Sequence, residues 1–401
     1  MLFIGDIHIH PRYTSSILDT IRSYIDDHAD EDHIVFLWDF VYHFSNHRDS
    51  LMELFQLFLE LASTQKHVYV LAGNHDRLWS HFVYAEAKEI FARQAHTYLH
   101  IITQPEHYEI AWQDMIFLPY ILSRDRYTPS TEPTSLDVKA LAENTNQAER
   151  DSYLLNSYIE EIAQTYDDVM IVHHYYVAKT SFPAVSGKFT YAHKAISPHF
   201  LDYEQLQFVS GHIHHPFSYH NYLCLGSIRS TSPLETNTLH YLAHYAPSSR
   251  RWTLTQTEIN PYLVISDPED FISSDTIQKF WKTLQWRELT ERFISSRFDI
   301  EIMPCELELH RVQLTIQSHD IDYEHIDDYI DTDLRHTLRD TKLKAHTPKL
   351  DQATQDLVEH ADEFWSSLGS WRTLLKNYIA RKFGDQQDRY VEVLKELGIK
   401  I

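Results

Sequence analysis

Glycine is scarce in this chain, with only eight in 401 residues, against about 7 % in an ordinary soluble protein. Cysteine is scarcer still. Cys224 and Cys305 stand alone, which excludes a disulfide framework and fits a reducing, cytoplasmic setting. No apolar run approaches the roughly 18–20 residues that a membrane span requires. The opening Met1-Leu2-Phe3-Ile4 has no basic stretch and no cleavage site, so no secretory leader is expected. Positive charge is also short: 35 Lys and Arg face 58 Asp and Glu, for a net charge of -23. A nucleic-acid binder gains most of its affinity by neutralising phosphates. DNA binding by this chain therefore requires a local patch, bound metal cations or a partner; otherwise its substrate is not DNA. There is no internal repeat and no low-complexity tract.

Hydrophobic content of 43 % and charged content of 23 % are ordinary, and the length is ample for a large core and two or three domains. The few glycines are placed unevenly. Gly5, Gly73, Gly211 and Gly226 fall in or beside four short motifs: Gly5-Asp6-Ile7-His8, Gly73-Asn74-His75-Asp76, His173-His174 and Gly211-His212-Ile213-His214. With only eight in the chain, four glycines kept there imply positive φ or close approach of other groups.

Each motif follows an apolar run. Strands are predicted at Leu2–Ile4, Ile34–Leu37, Val68–Leu71, Met115–Leu118, Val169–Val172 and Phe208–Ser210. Ser50–Leu61 reads as an amphipathic helix, with Leu51, Leu54, Phe55 and Phe58 on one face. Another helix is predicted at Glu149–Tyr166, after a Pro- and Ser-bearing surface insertion at Ser123–Ala148. The rhythm implies a layered α/β domain over residues 1–250, with functional side chains at strand ends. Residues 251–345 read as a small α+β cap, with strands at Trp252–Ile259 and Arg311–Ile316 and a helix near Thr276–Thr290. Its acidic stretch Asp320–Asp333 reads as a solvated face. Residues 346–401 read as a helical tail with an apolar seam of Phe364, Leu368, Trp371, Leu375 and Tyr378.

The motifs carry a mixed set of carboxylate, amide and imidazole groups. Two cations about 3.5–4 Å apart sharing an oxygen ligand form a common hydrolytic centre, and this set suits one. Asp6 and His8 are separated by one residue, so an extended backbone presents both to one side. His212 and His214 repeat that spacing. Asn74 offers a neutral oxygen, and Asp39, after its own apolar run, is the expected bridging carboxylate. One histidine of the 173–174 pair completes the set, with His174 preferred. Asp, Asn and His together favour Mn²⁺, Fe²⁺ or Zn²⁺ over Ca²⁺. In a chain with 28 histidines a lone His counts for little, and His10, His43, His193 and His215 are read as structural or surface residues.

These motifs resemble those of calcineurin-like metallophosphoesterases, whose pattern is DxH, GDxxD, GNHD or GNHE, a lone His and GHxH. Within that group the chain most resembles SbcD-type DNA-repair nuclease subunits. Phe117-Leu118-Pro119-Tyr120 and the stretch from Leu225-Gly226-Ser227 to Ser232-Pro233-Leu234-Glu235 carry that finer likeness. The resemblance implies a two-sheet sandwich flanked by helices. It implies two divalent ions, Mn²⁺ above all, held by Asp6, His8, Asp39, Asn74, His174, His212 and His214. It further implies exonuclease and endonuclease activity on DNA, with His75 protonating the leaving oxygen or stabilising the transition state and Asp76 orienting His75. The implied partners are DNA, an SMC-like ATPase of SbcC type docking on the C-terminal helices, and a second copy of the chain in a homodimer. A small-nucleotide phosphodiesterase or phosphatase, and a non-catalytic scaffold for the ATPase, are the alternatives.

Two tryptophans depart from the pattern. Trp38 stands where relatives have the glycine before the bridging aspartate, and Tyr42, followed by His43, stands where they have Asp or His. Trp112 stands where they often have glycine, and Trp is a poor volume match for glycine in a packed site. With glycine so scarce, one reading is that the source decodes UGA as glycine at positions 38 and 112. The other is ordinary divergence, and a UGG codon at position 38 would decide for it. A protein made with Trp38 is expected to bind metal more weakly than its Trp38→Gly variant.

Overall fold

The computed structural model describes residues 1–37, 39–41, 48–78, 81–82, 88, 98–120, 147–177, 195–230, 235, 237–257, 262–266, 272–293, 296–307, 309, 312–318 and 340–345. Trp38, Tyr42, His43, His193, the acidic stretch Asp320–Asp333 and the C-terminal seam lie outside the described residues, as does nearly all of the Ser123–Ala148 insertion. The chain divides into two compact units, Met1–Lys344 and Ala345–Ile401.

The first unit contains two large mixed sheets. One contains β1 (Leu2–Ile4), β2 (His33–Phe36), β3 (His67–Leu71) and β4 (Leu99–Ile102), all parallel. The other contains β5 (Glu106–Ile110), β6 (Gln113–Leu118), β7 (Val169–His173), β8 (Leu206–Ser210), β9 (Phe217–Tyr219) and β10 (Tyr222–Cys224), in the order β9-β10-β8-β7-β6-β5. The first sheet continues through β11 (His240–Ala246), β12 (Arg251–Thr257) and β13 (Asp299–Met303), giving β13-β12-β11-β1-β2-β3-β4. β11 and β12 pair in antiparallel register from His240 opposite Thr257 to Ala246 opposite Arg251. Residues on both sides of position 250 thus share one sheet.

Side-chain alternation explains the layering. On β1, Phe3 faces the other sheet, while Leu2 and Ile4 face outward. Val35, Tyr69 and Leu71 join Phe3 against Met115, Phe117, Met170, Val172 and Val209 of the second sheet. The outward face of the first sheet is covered by α1 (Thr14–Asp26) and α2 (Arg48–Ser63) through Ile17, Ile21, Leu54 and Phe58. The outward face of the second is covered by α3 (Gln147–Thr165) through Leu155, Ile159 and Ile162. Strands buried on both faces must read as unbroken apolar runs, which is why the predicted strands match so closely. The result is the helix-flanked two-sheet sandwich expected from the sequence.

Beyond β12, Tyr262–Ser266 pairs in parallel with Gln313–Ser318, and α4 (Ser274–Glu291) lies between them in sequence. Leu263, Ile265, Ile277, Trp281 and Leu284 belong to the same apolar cluster as the sandwich interior.

Trp112 is 94 % exposed, so the volume objection drawn from the sequence does not hold there. The conflict is one of backbone. Ala111 and Trp112 form the two-residue turn between β5 and β6, with φ of 50° and 69°. Two successive positive φ values define the hairpin turn that prefers Asn-Gly, and a bulky residue is strained there.

Candidate metal centre

The centre forms beyond the C-terminal ends of β1, β2, β3, β7 and β8, where an open parallel sheet presents its loops. Gly5 follows β1, and the next residues are tied to a distant stretch: the Asp6 amide donates to the Gly226 carbonyl (3.1 Å), and the Ile228 amide donates to that of Asp6 (3.0 Å). His8 then takes a φ of 43°, with its amide donating to the Asp39 carbonyl (2.8 Å). Asp39 and His212 are also left-handed, at 50° and 68°. Strained backbone at three adjacent functional positions is what a pre-formed site requires and ordinary packing does not.

Six side chains fall into two groups, Asp6 with His8 and His214, and Asp39 with His174 and His212. Within each group the potential ligand atoms lie within 4.8 Å of one another. In the first, the Nε2 atoms of His8 and His214 are 2.9 Å apart. Asp6 is fully buried. One of its oxygens accepts from the His212 amide (2.6 Å); the other, Oδ1, has no hydrogen-bond partner among the described residues. A buried carboxylate oxygen left without a donor is costly in a protein interior, and a cation at this point would satisfy it. In the second group, His174 Nε2 lies 2.6 Å from the Asn74 carboxamide oxygen and 3.2 Å from Asp39 Oδ2. Asn74 thus joins that group. The residues present fit a pair of divalent cations.

His174, not His173, reaches the centre. His173 is the last residue of β7, and alternation turns its ring toward the helix-covered face, against Phe208 and Tyr222. Burial, followed by the His174 charge, pushes its pKa down to about 3. His10 is exposed and His215 is half-buried, bonded to Thr238 Oγ1 (2.8 Å); neither joins the two groups.

Asp76 is buried, and its carboxylate accepts the amides of Phe40 (2.8 Å) and Gly73 (3.0 Å). These bonds lash the Asp39 loop to the Asn74 loop. The His75 amide in turn donates to Asp39 Oδ1 (2.9 Å), and the His75 ring lies edge-on to that of His8, 5.7 Å between centroids.

Glycine is required here for two distinct reasons. A Cβ on Gly211 would collide with the Asp6 carboxylate, and Gly226, at φ 68°, turns the chain in a region that L side chains rarely adopt.

The electrostatics favour neutral imidazoles. Burial, then the neighbouring imidazoles, lowers the pKa of His8 and His212 well below the usual value, and burial lowers that of His174. Their rings therefore favour the neutral form, in which one nitrogen of each keeps its hydrogen and the other has a lone pair to donate. Asp6 is pushed well above the carboxylate range by burial and then by Asp39. Asp39 goes the other way: burial would raise it, but the imidazoles of His174, His8 and His75 hold it well below. Its charge thus couples to histidines of both groups.

Two residues with parts to play at the centre were not singled out by motif. Glu235 accepts from His214 Nδ1 (2.6 Å), and Arg229 donates to the His8 carbonyl. In the sequence Glu235 stands out only as the end of a family segment. The usable signal was chemical: a metal-binding histidine needs a partner for its other ring nitrogen.

Residues 1–216, more than half of the chain, match the family model for calcineurin-like phosphoesterases. Among solved structures, the chain is similar to phosphopantetheinyl hydrolase from Mycobacterium tuberculosis, at 14 % identity over 49 % of this chain and 80 % of that one, with a TM-score of 0.29. It is also similar to a protein of unknown function, AQ665, from Aquifex aeolicus, at 16 % identity over 51 % of this chain and 92 % of that one, with a TM-score of 0.20. No curated protein matches the chain. Among the described residues, no helix is long and apolar enough to cross a membrane.

Proposed function

The chain belongs to the calcineurin-like phosphoesterase family, and from that premise we propose that it is a Mn²⁺-dependent nuclease subunit that hydrolyses phosphodiester bonds at DNA ends. Phosphoester hydrolysis with divalent metals follows from the family. The observation that carries the reading to this chain is the pair of ligand groups, Asp6/His8/His214 and Asp39/His174/His212. The DNA substrate rests on the Phe117–Tyr120 and Leu225–Glu235 segments, which resemble those of SbcD-type subunits.

Asp6, His8, Asp39, Asn74, His174, His212 and His214 are the residues that would hold the two metals. When bound, the metals supply Lewis-acid activation of water and of the phosphoryl oxygens. The chain's own residues do the rest. Neutral imidazoles and two carboxylates orient the centre, and Asp76 fixes the loops that carry Asp39 and Asn74. His75, on the same loop as Asn74, is the proton donor to the leaving oxygen. A bound pair of cations also offsets the anionic surface that would otherwise repel a phosphodiester. The net charge of -23 favours the helper role of an SMC-like ATPase and, as a second reading, a small nucleotide diester as substrate.

Cleavage of end-labelled duplex and single-stranded DNA with Mn²⁺, beside bis-p-nitrophenyl phosphate, separates the two. Stepwise shortening of DNA, abolished in His75→Ala, is the expected result. Turnover of the small diester with DNA left intact, both alone and with the ATPase subunit added, would overturn the nuclease reading.

A further inference from the structure

Different parts of the chain hold the two ligand groups, and on the two-metal reading above each cation then has its own support. The Asp6/His8/His214 group is braced by residues from a single stretch after β10. The Gly226 carbonyl accepts the Asp6 amide, and the Ile228 amide returns a bond to the Asp6 carbonyl. The Arg229 guanidinium is buried; it donates to the His8 carbonyl, and a second nitrogen donates to the Ser230 carbonyl (3.0 Å). Ser227 Oγ donates to the Arg229 carbonyl (2.8 Å), fixing the stretch itself. Glu235, 5 % exposed, closes the set with its bond to His214 Nδ1.

That last bond fixes a tautomer. A carboxylate can only accept, so His214 Nδ1 carries the hydrogen, and a neutral ring then presents an unprotonated Nε2. Nε2 is the atom that faces His8 Nε2 and completes the first group. Arg229 acts on the backbone, stabilising a left-handed His8 that its side chain alone would disfavour. The Asp39/His174/His212 group meets the first at two backbone amides, His8 to the Asp39 carbonyl and His212 to Asp6 Oδ2; its further supports are Asn74, the His75 amide and the Asp76-bonded loops.

We propose that Arg229 and Glu235 are positioning residues for the Asp6/His8/His214 metal alone, so that one cation can be weakened without the other. Removal of a carboxylate that orients a metal-bound histidine typically lowers metal affinity about 10–100-fold.

The test is Mn²⁺ titration of the full chain by calorimetry, with the electron paramagnetic resonance spectrum recorded at the Mn²⁺ concentration that fills both sites of the wild type. The wild type should bind two Mn²⁺ and give an exchange-coupled pair signal. Glu235→Ala should bind one Mn²⁺ as before and the second about 10–100-fold more weakly, with an isolated-ion signal at that Mn²⁺ concentration. Glu235→Gln, of the same shape, should fall between the two, because its carboxamide oxygen still accepts from Nδ1. Arg229→Lys serves if Glu235→Ala fails to fold, and should weaken the same single ion. Equal weakening of both ions, or no weakening in any variant, would overturn the proposal. A wild-type chain that binds fewer than two Mn²⁺ would instead overturn the two-metal reading on which it rests.

Discussion

The two ligand groups present the same chemistry on different supports. His8 and His214 are steadied by side chains, Arg229 and Glu235, that lie 221 and 21 residues away in sequence. Asp39 and its neighbours are steadied by backbone amides: His75 to Asp39, and Phe40 and Gly73 to Asp76. The first group is therefore exposed to single substitutions at a distance. The second depends on loop conformation, and the Asp76 side chain ties the Asp39 loop to the Asn74 loop.

The largest expected effect lies between the groups, at His75. His75→Ala should lower kcat on DNA about 10²–10⁴-fold, the usual contribution of a positioned acid, with both Mn²⁺ still bound. On bis-p-nitrophenyl phosphate, whose leaving group needs no proton at neutral pH, the loss should be far smaller. Equal losses on both substrates, measured under matched conditions, would remove His75 from the acid's role.

Asp76→Ala sharpens the comparison from the second group. It leaves the amides of Phe40 and Gly73 without their acceptor, at about 1–3 kcal/mol for an unsatisfied buried donor. Burial, then repulsion from Asp39, raises the Asp76 pKa well above its usual value, and relief of both offsets part of this. A net loss of about 2 kcal/mol in urea unfolding of the metal-free chain is expected. No change in midpoint would mean that the loops hold each other without it.

Far from the metals, at the N-terminal ends of β2 and β3, His33 and His67 stack at 4.9 Å between centroids, and His67 Nδ1 lies 3.1 Å from His100 Nε2. Burial, then the neighbouring imidazole, lowers the pKa of His33 and pushes that of His100 down to about 4. The unfolded chain takes up protons near 6.5 that the folded chain refuses. Stability is therefore full above that value and falls as pH drops from about 6.5 toward 4. The slope is at most about 1.4 kcal/mol per pH unit for each such group, and less for rings partly in water. Thermal melting of the metal-free chain between pH 7 and pH 5 measures it, and His100→Gln should flatten the fall. An unchanged slope would clear the stack of the effect.

The smallest effect is at the β5–β6 turn. Trp112→Gly should raise stability by about 1 kcal/mol, since a left-handed L residue costs roughly that much, and lose almost nothing in packing at 94 % exposure. A variant no more stable than the parent would mean that the turn accommodates Trp112 without strain.

The sequence made much of this legible for a physical reason. Parallel strands buried on both faces must be apolar throughout, so β1, β2, β3, β7 and β8 stand out, and the ligand motifs follow directly at their ends. Adjacent histidines at 173 and 174 look alike in sequence, because the choice between them turns on where β7 stops. The bonds of Asp76 to the backbone of Phe40 and Gly73 left no sequence signal, since they depend on two loops meeting across the sheet. The roles of Glu235 and Arg229 stayed hidden because the bridge between Asp6 and Ser227 and the bond from the Ser227 amide to the His214 carbonyl, not proximity in the chain, bring their stretch to His8 and His214. The continuation of the first sheet through β12 and β13 likewise gave no local sign, as an edge extension reads like any other pair of strands.

The most direct measurement is anomalous diffraction from crystals of the full chain soaked in Mn²⁺. The account predicts two peaks about 3.5–4 Å apart, one beside Asp6, His8 and His214 and the other beside Asp39, Asn74, His174 and His212. A single peak, or peaks away from these side chains, would contradict it.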